Sequence, residues 1–349
     1  MTATERKTLL LFVVVTRVFG AVKAGPANPY PFQFEQEDGN ITTNLFYHGS
    51  SPFDSFISDA DGYTVIKDDK NSSRFVYAKT NETNRALVSS GILIGESDTI
   101  SAGTAKRLRP SPRLSSTNIR NGRRLVETHQ RKLNVPSNGT LKNLVVLMRF
   151  QNHKNRILPA VEDFDVLFNH DGEEQPHHDL APTGSVWDVF RINSYGKFSL
   201  ESEVYGWVDL PESESYYAGG VGGFATPEYV EALHSAMNAL LLEERFGIVD
   251  FSQFDSNGDG KIDMVTLVHS GFASEVSGPD QDGAENDDRI WSHHRKIPRK
   301  DRWYPNPNQK SEGAYVYQYA TVPALYGVEG TSIGRIGVTS HEIGHAIGE

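Results

Sequence analysis

The run "LVVLMRF" occupies Leu144–Phe150 and is a continuous apolar stretch of strand length. Such a run fits a strand buried on both faces, and not the apolar–polar alternation of a sheet with one face in water. "MVTLVHSG", Met264–Gly271, and "AYVYQYATV", Ala314–Val322, read as two more buried strands. Helical segments stand between them. "TPEYVEALHSAMNALLLEERFG" is the clearest, with Thr226 as cap, Pro227 in the first turn and Gly247 at the end. Val230, Leu233, Met237, Leu240 and Leu241 are expected on its apolar face. In "GSVWDVFRINSYGKFSL" helix character runs from Ser185 to Ile192, and Gly196 turns the chain into a strand. Strands mixed with long helices predict an α/β or α+β domain with a mixed sheet.

Working outward, the residues before this domain change character twice. Between Ser101 and Thr140 there are nine Lys or Arg and one acid, Glu127. This stretch reads as a basic flexible linker over 101–140, with a dibasic pair at Arg123–Arg124 in a polar setting. The formal net charge of −11 therefore leaves 25 basic and 44 acidic residues elsewhere, a surface that repels nucleic acid and suits cations. Residues 25–100 carry short alternating segments and turn signals, among them "DADGYTVIKD", Asp59–Asp68, and "SRFVYAK", Ser73–Lys79. They predict a small β-rich unit. At the N-terminus Arg6 and Lys7 precede the apolar run Leu9–Val15, and Val22-Lys23-Ala24 offers a cleavage site before Gly25. Residues 1–24 are thus expected to be a secretory signal peptide, the alternative being a frayed N-terminal helix. The run is too short to span a bilayer. Sequons at Asn40, Asn71, Asn81 and Asn138 agree with export and glycosylation. The chain has no cysteine, which excludes disulfides, thiolate nucleophiles and thiolate metal ligands.

Two patterns carry chemistry. The first is His341-Glu342-Ile343-Gly344-His345, an HExxH sequence. On a helix, i and i+4 share one face, so both imidazoles can aim at one zinc ion. Glu342 lies about 100° round the axis, where a carboxylate can take a proton from a metal-activated water. Ile343, Ala346 and Ile347 form an apolar face opposite the histidines. The alternative is an ordinary surface helix with two histidines. The second pattern is Asp255-Ser256-Asn257-Gly258-Asp259-Gly260-Lys261-Ile262-Asp263. Oxygen side chains at Asp255, Asn257, Asp259 and Asp263, with the Lys261 carbonyl and a glycine at the sixth place, match the first nine positions of a calcium loop. The twelfth position is Thr266, so a paired EF-hand is not expected. A turn that binds nothing is the alternative. The acidic run from Asp280 to Asp288 reads as a solvated loop, with a second cation site as the lesser option. Trp291 is expected to pack. His293 and His294 are expected to be exposed or satisfied locally.

Taken together these blocks resemble one family, the M6 metallopeptidases, which are immune-inhibitor-A-like secreted zinc proteases. The resemblance rests on "LVVLMRF", the block Gly184–Pro211, "FDSNGDGKIDMVTLVHSGFASE", "IWSHHRK" and "IGVTSHEIGHAIG", in that order. The segment Phe32–Ala78, with "QEDG" and "DADGYTV", is similar to the region that precedes the catalytic domain in many members. The resemblance implies a zincin-like, metzincin-like catalytic domain over 141–349. It further implies His341 and His345 as zinc ligands, Glu342 as general base, and protein or peptide substrates. It places the third ligand beyond Glu349, so the sequence reads as truncated just after the motif, with the activity of this chain in question. A secreted calcium-stabilised module without enzymatic activity is the rival expectation.

Overall fold

The computed structural model describes residues 31–35, 41–49, 56–68, 71–81, 86–94, 106, 108 and 138–347, less 175–177, 225 and 309–312. The signal segment 1–24, Asn40, the basic stretch 110–137 and Gly348–Glu349 lie outside the described residues.

Two sheets organise the described chain. The first is a six-stranded antiparallel meander in the order β1 (Phe32–Glu35), β2 (Ile41–His48), β3 (Phe56–Ser58), β4 (Thr64–Asp68), β5 (Asn71–Thr80) and β6 (Leu87–Leu93). Asp59–Asp68 is a turn followed by a strand, because Gly62 takes φ 86° and the Tyr63 amide donates to Asp59 Oδ1 at 2.8 Å. Leu45, Val65, Phe75 and Tyr77 make the small core on one face.

The second sheet has five strands. β7 (Gly139–Arg149), β8 (Phe198–Asp209), β10 (Met264–Phe272) and β13 (Gln318–Leu325) run parallel, and β11 (His293–Lys296) closes one edge antiparallel to β13. The order is β11-β13-β10-β7-β8. "LVVLMRF" lies in β7, whose residues alternate between two cores. Leu144, Val146 and Met148 face one, and Leu141, Val145 and Leu147 face the other. This two-sided burial is why the sequence shows no alternation. Each such Leu or Val removed from water contributes about 1.5–3 kcal/mol. Gly139 and Thr140 already pair with Phe198 and Ser199, so the stretch read as linker through Thr140 ends before them.

Helix α4 (Pro227–Leu242) covers the first core. Thr226 Oγ1 accepts the Tyr229 amide at 3.1 Å and caps it. Its buried stripe comprises Tyr229, Ala232, Leu233, Ala236, Met237 and Leu240. Leu241, expected inside, is 41% exposed, because Tyr229 and the two alanines draw the contact stripe away from it. On the other face lie α1 (Val161–Asn169), α2 (Val186–Asn193) and α5 (Ile336–Ile347). Ser185 starts α2 through a capping box, accepting the Asp188 amide at 3.1 Å while Asp188 Oδ2 accepts the Ser185 amide at 3.0 Å. "AYVYQYATV" is broken at Tyr317. Its first part forms β12 (Tyr315–Val316), which pairs with β9 (Lys261–Ile262) instead of joining the large sheet. The short helix α3 (Glu214–Ala218) completes the set. The result is a mixed α/β arrangement with helices on both faces of a mostly parallel sheet. No helix among the described residues is long and apolar enough to cross a membrane.

The two sheets touch at named places. The Tyr47 ring lies 5.7 Å from that of Trp291, which also packs on Phe224. Lys67 pairs with Glu285 at 3.2 Å across a half-exposed gap, a contact worth about 0–1 kcal/mol.

Candidate active site

Helix α5 follows β13 through a tight return in which the Gly334 amide donates to Ala324 O at 2.7 Å. A Cβ at Gly334 would sit 2.7 Å from Pro323 O, so only glycine lets the chain pass this close. The helix then carries Ile343 and Ala346 into the core with Val322 and Ala324. The opposite face holds His341, exposed, and His345, half-buried. Their Nε2 atoms lie 3.1 Å apart, with ring centroids at 4.5 Å and planes at 80°. Two imidazole nitrogens each about 2.0–2.1 Å from one zinc ion would stand roughly this far apart. As a donor pair they fit the ion. Among the described residues no group of three or more His, Asp or Glu is placed to hold a metal, so the pair gains no third protein ligand there. Glu342, between them in sequence, is fully buried.

Beside His341 opens a cleft of about 440 Å³. Val276 follows β10, Pro323 and Leu325 end β13, and Val338 belongs to α5; these line it with apolar surface. Glu275 also lines it, at 6% exposure, with Oε2 accepting the Ser292 amide at 3.1 Å. Burial pushes the Glu275 carboxyl above the usual carboxylate range.

The loop Asp255–Asp263 lies away from this cleft, leading into β9 and β10. Asp255 Oδ1 and Oδ2 accept the amides of Asp259 and Gly260 at 3.0 and 2.8 Å. Asn257 Oδ1 also accepts the Asp259 amide, at 2.9 Å, and Asp259 Oδ1 accepts that of Lys261 at 3.0 Å. Asp263 turns to Ser256, taking its amide at 3.1 Å and its hydroxyl. The side chains thus fold the loop on itself, and its three aspartates do not converge on one point. Of the sequons, Asn138 is exposed, Asn81 is half-buried and Asn71 begins β5.

The acidic run does not stand wholly in solvent as the sequence suggested. Asp280 is 5% exposed, its Oδ1 accepting the amides of Asp282 and Ala284, both at 2.9 Å, and its Oδ2 facing Arg156 at 3.4 Å. Trp291 is buried. So are His293 and His294, both hydrogen-bonded. His293 bridges Trp291 O at 2.8 Å and the Tyr319 hydroxyl at 3.1 Å.

Sequence reasoning missed a polar cluster at the carboxyl ends of β7, β8 and β10. Glu214 lies 3.5 Å from His153 Nε2 and 3.8 Å from His269 Nδ1, all three at 3% exposure or less. Burial raises the Glu214 carboxyl to about 8. Burial, then the Arg156 cation, lowers His153 to about 3. His269 falls well below the ordinary range, chiefly by burial. The Arg289 guanidinium is buried nearby and donates Nη2 to Val276 O at 2.8 Å and Gly278 O at 2.6 Å. The one signal for this cluster in the sequence is His269-Ser270 inside an otherwise apolar strand.

Residues 159–349 match the family described as immune inhibitor A peptidase M6, catalytic domain. Among the described residues the match takes in α1 to α5 and every strand of the large sheet except β7. No curated protein matches the chain.

Proposed function

Since the chain belongs to the immune inhibitor A family of M6 metallopeptidases, we propose that it hydrolyses peptide bonds at α5, with His341 and His345 holding zinc and Glu342 as general base. The observation that carries this reading is the pair of Nε2 atoms 3.1 Å apart on the outer face of α5, next to an open cleft. Zinc, when bound, supplies a Lewis acid and lowers the pKa of water to about 7. The chain's own contributions are separate. His341 and His345 donate lone pairs, Glu342 accepts a proton from the attacking water and returns it to the leaving amine, and the cleft wall positions the peptide. The fold we infer for 141–349 is zincin-like. Casein or quenched-peptide hydrolysis should be lost with phenanthroline and recovered with added zinc. In parallel, His341→Ala should lower bound zinc by at least about tenfold by metal analysis. Chelator-insensitive hydrolysis with full zinc retention in the variant would refute the assignment.

The remaining proposals follow the sequence. Residues 1–24 direct export and are removed, 25–100 form a pro-region, the basic stretch from 101 up to β7 links it to the catalytic part, and Asn40, Asn71, Asn81 and Asn138 are candidate glycan sites. Calcium in the loop formed by Asp255, Asn257, Asp259, Lys261 and Asp263 would stabilise the folded state, with Asp263 swinging from Ser256 to the ion. At a hundred times its dissociation constant such an ion adds about 2.7 kcal/mol. Melting temperature should fall on chelation and recover with calcium, and Asp259→Ala should remove the response. Identical melting curves with and without calcium would leave the loop as a turn.

A further inference from the structure

We propose that the cleft beside His341 is a side-chain subsite that selects lysine or arginine in the peptide substrate through the carboxyl of Glu275. The inference rests on the peptidase reading and concerns what that site accepts.

Position comes first. One wall of the cleft is α5 itself, from Gly337 to His341, so a residue close to the bond held at the histidines can send its side chain into it. Shape comes second. Val276, Pro323, Leu325 and Val338 offer an apolar channel, and a volume of about 440 Å³ accommodates a long side chain with room to spare. The methylene stem of lysine or arginine gains from such walls while its charged end needs a partner.

Charge decides between a basic side chain and a plain apolar one. Glu275 is 6% exposed, and its Oε2 takes the Ser292 amide. The Arg289 charge acts on it, but Arg289 Nη2 is committed to two backbone carbonyls and its charge is shared with Glu214 and Asp280. Arg156 is engaged by Asp280 and Asp282. A buried carboxylate without full compensation is costly, and a cation arriving with the substrate supplies what is lacking. Arg335, which also lines the cleft, is exposed and its guanidinium lies 5.6 Å from the centre of the Tyr326 ring.

The test uses the whole chain with zinc and a quenched peptide library in which each position is varied among lysine, arginine, norleucine and glutamate. Lysine or arginine at one position near the cleaved bond should exceed norleucine, which has the stem without the cation, by about 10- to 100-fold in kcat/KM. Glu275→Gln keeps the shape and the Ser292 contact, and should cut that lysine-to-norleucine ratio by about tenfold or more. The ratio is internal to each protein, so partial misfolding lowers both rates and leaves it unchanged. A purely structural Glu275 would do the same. An unchanged ratio in the variant, or a wild-type preference for norleucine, overturns the subsite while leaving the peptidase intact. Failure to cleave any member of the library overturns the peptidase reading and the subsite together.

Discussion

Glu342→Gln is expected to lower kcat for peptide hydrolysis by about 10²- to 10⁴-fold, the range a positioned general base contributes. The substitution preserves volume at a fully buried position, so the melting temperature should move little and zinc content should stay at the wild-type level. That combination separates loss of the base from loss of the metal, which His341→Ala causes. KM should change less than kcat, because the carboxylate acts on the proton in flight and contributes little to holding the peptide. A variant with activity within threefold of wild type would remove Glu342 from the chemistry.

The second large effect is on stability in acid. His293 is fully buried and held at about 3, chiefly by burial, against an ordinary value of 6.5. Between those limits the unfolded chain binds a proton that the folded chain refuses. Its contribution is therefore complete above pH 6.5 and is lost as pH falls towards 3, by about 5 kcal/mol at the linkage rate of roughly 1.4 kcal/mol per unit. His153 and His269 act in the same sense. Glu214 opposes them. Raised to about 8, its contribution is full below 4.5 and is lost as pH rises to about 8, and the raised Glu275 and Asp263 act with it. Stability should peak near pH 6.5–7, decline gently to pH 8 and fall steeply below pH 6. Urea midpoints at pH 7, 5.5 and 4 measure this, and His293→Gln should flatten the acid limb. If wild type and variant show the same pH slope, the buried imidazole is not its source.

Much of the catalytic part was legible because its signals are local. The apolar runs Leu144–Phe150 and Met264–Gly271 became β7 and β10, Thr226 and Ser185 cap the helices that follow them, and HExxH lies on a helix. What stayed hidden depends on residues far apart in the chain. Nothing near Tyr317 shows that the chain changes sheets there, since the partner of β12 is Lys261–Ile262. Asp280 looks like one acid in a polar run, and its burial depends on Arg156, 124 positions earlier. Glu214 has no local mark at all. Its setting is made by His153, His269 and Gly271, where a Cβ would overlap its carboxyl. Glu275 escaped for the same reason: its neighbours in the cleft come from β13 and α5.

The two-sided character of α5 separates bite from aim. The bite is the distance between the two donor nitrogens. It spans one helical turn and is set by the helix's own hydrogen bonds. The aim is where that pair points relative to the cleft, and it is set by Ile343 and Ala346 in the layer with Val322 and Ala324. The two have different tolerances. A methyl group lost from that layer leaves the bite intact and rotates the whole pair as one piece. On the proposed zinc reading, distant core changes can therefore spare the metal and still spoil the alignment with a peptide, and the same rooting lets the cleft wall change by substitution while the histidine pair stays in register.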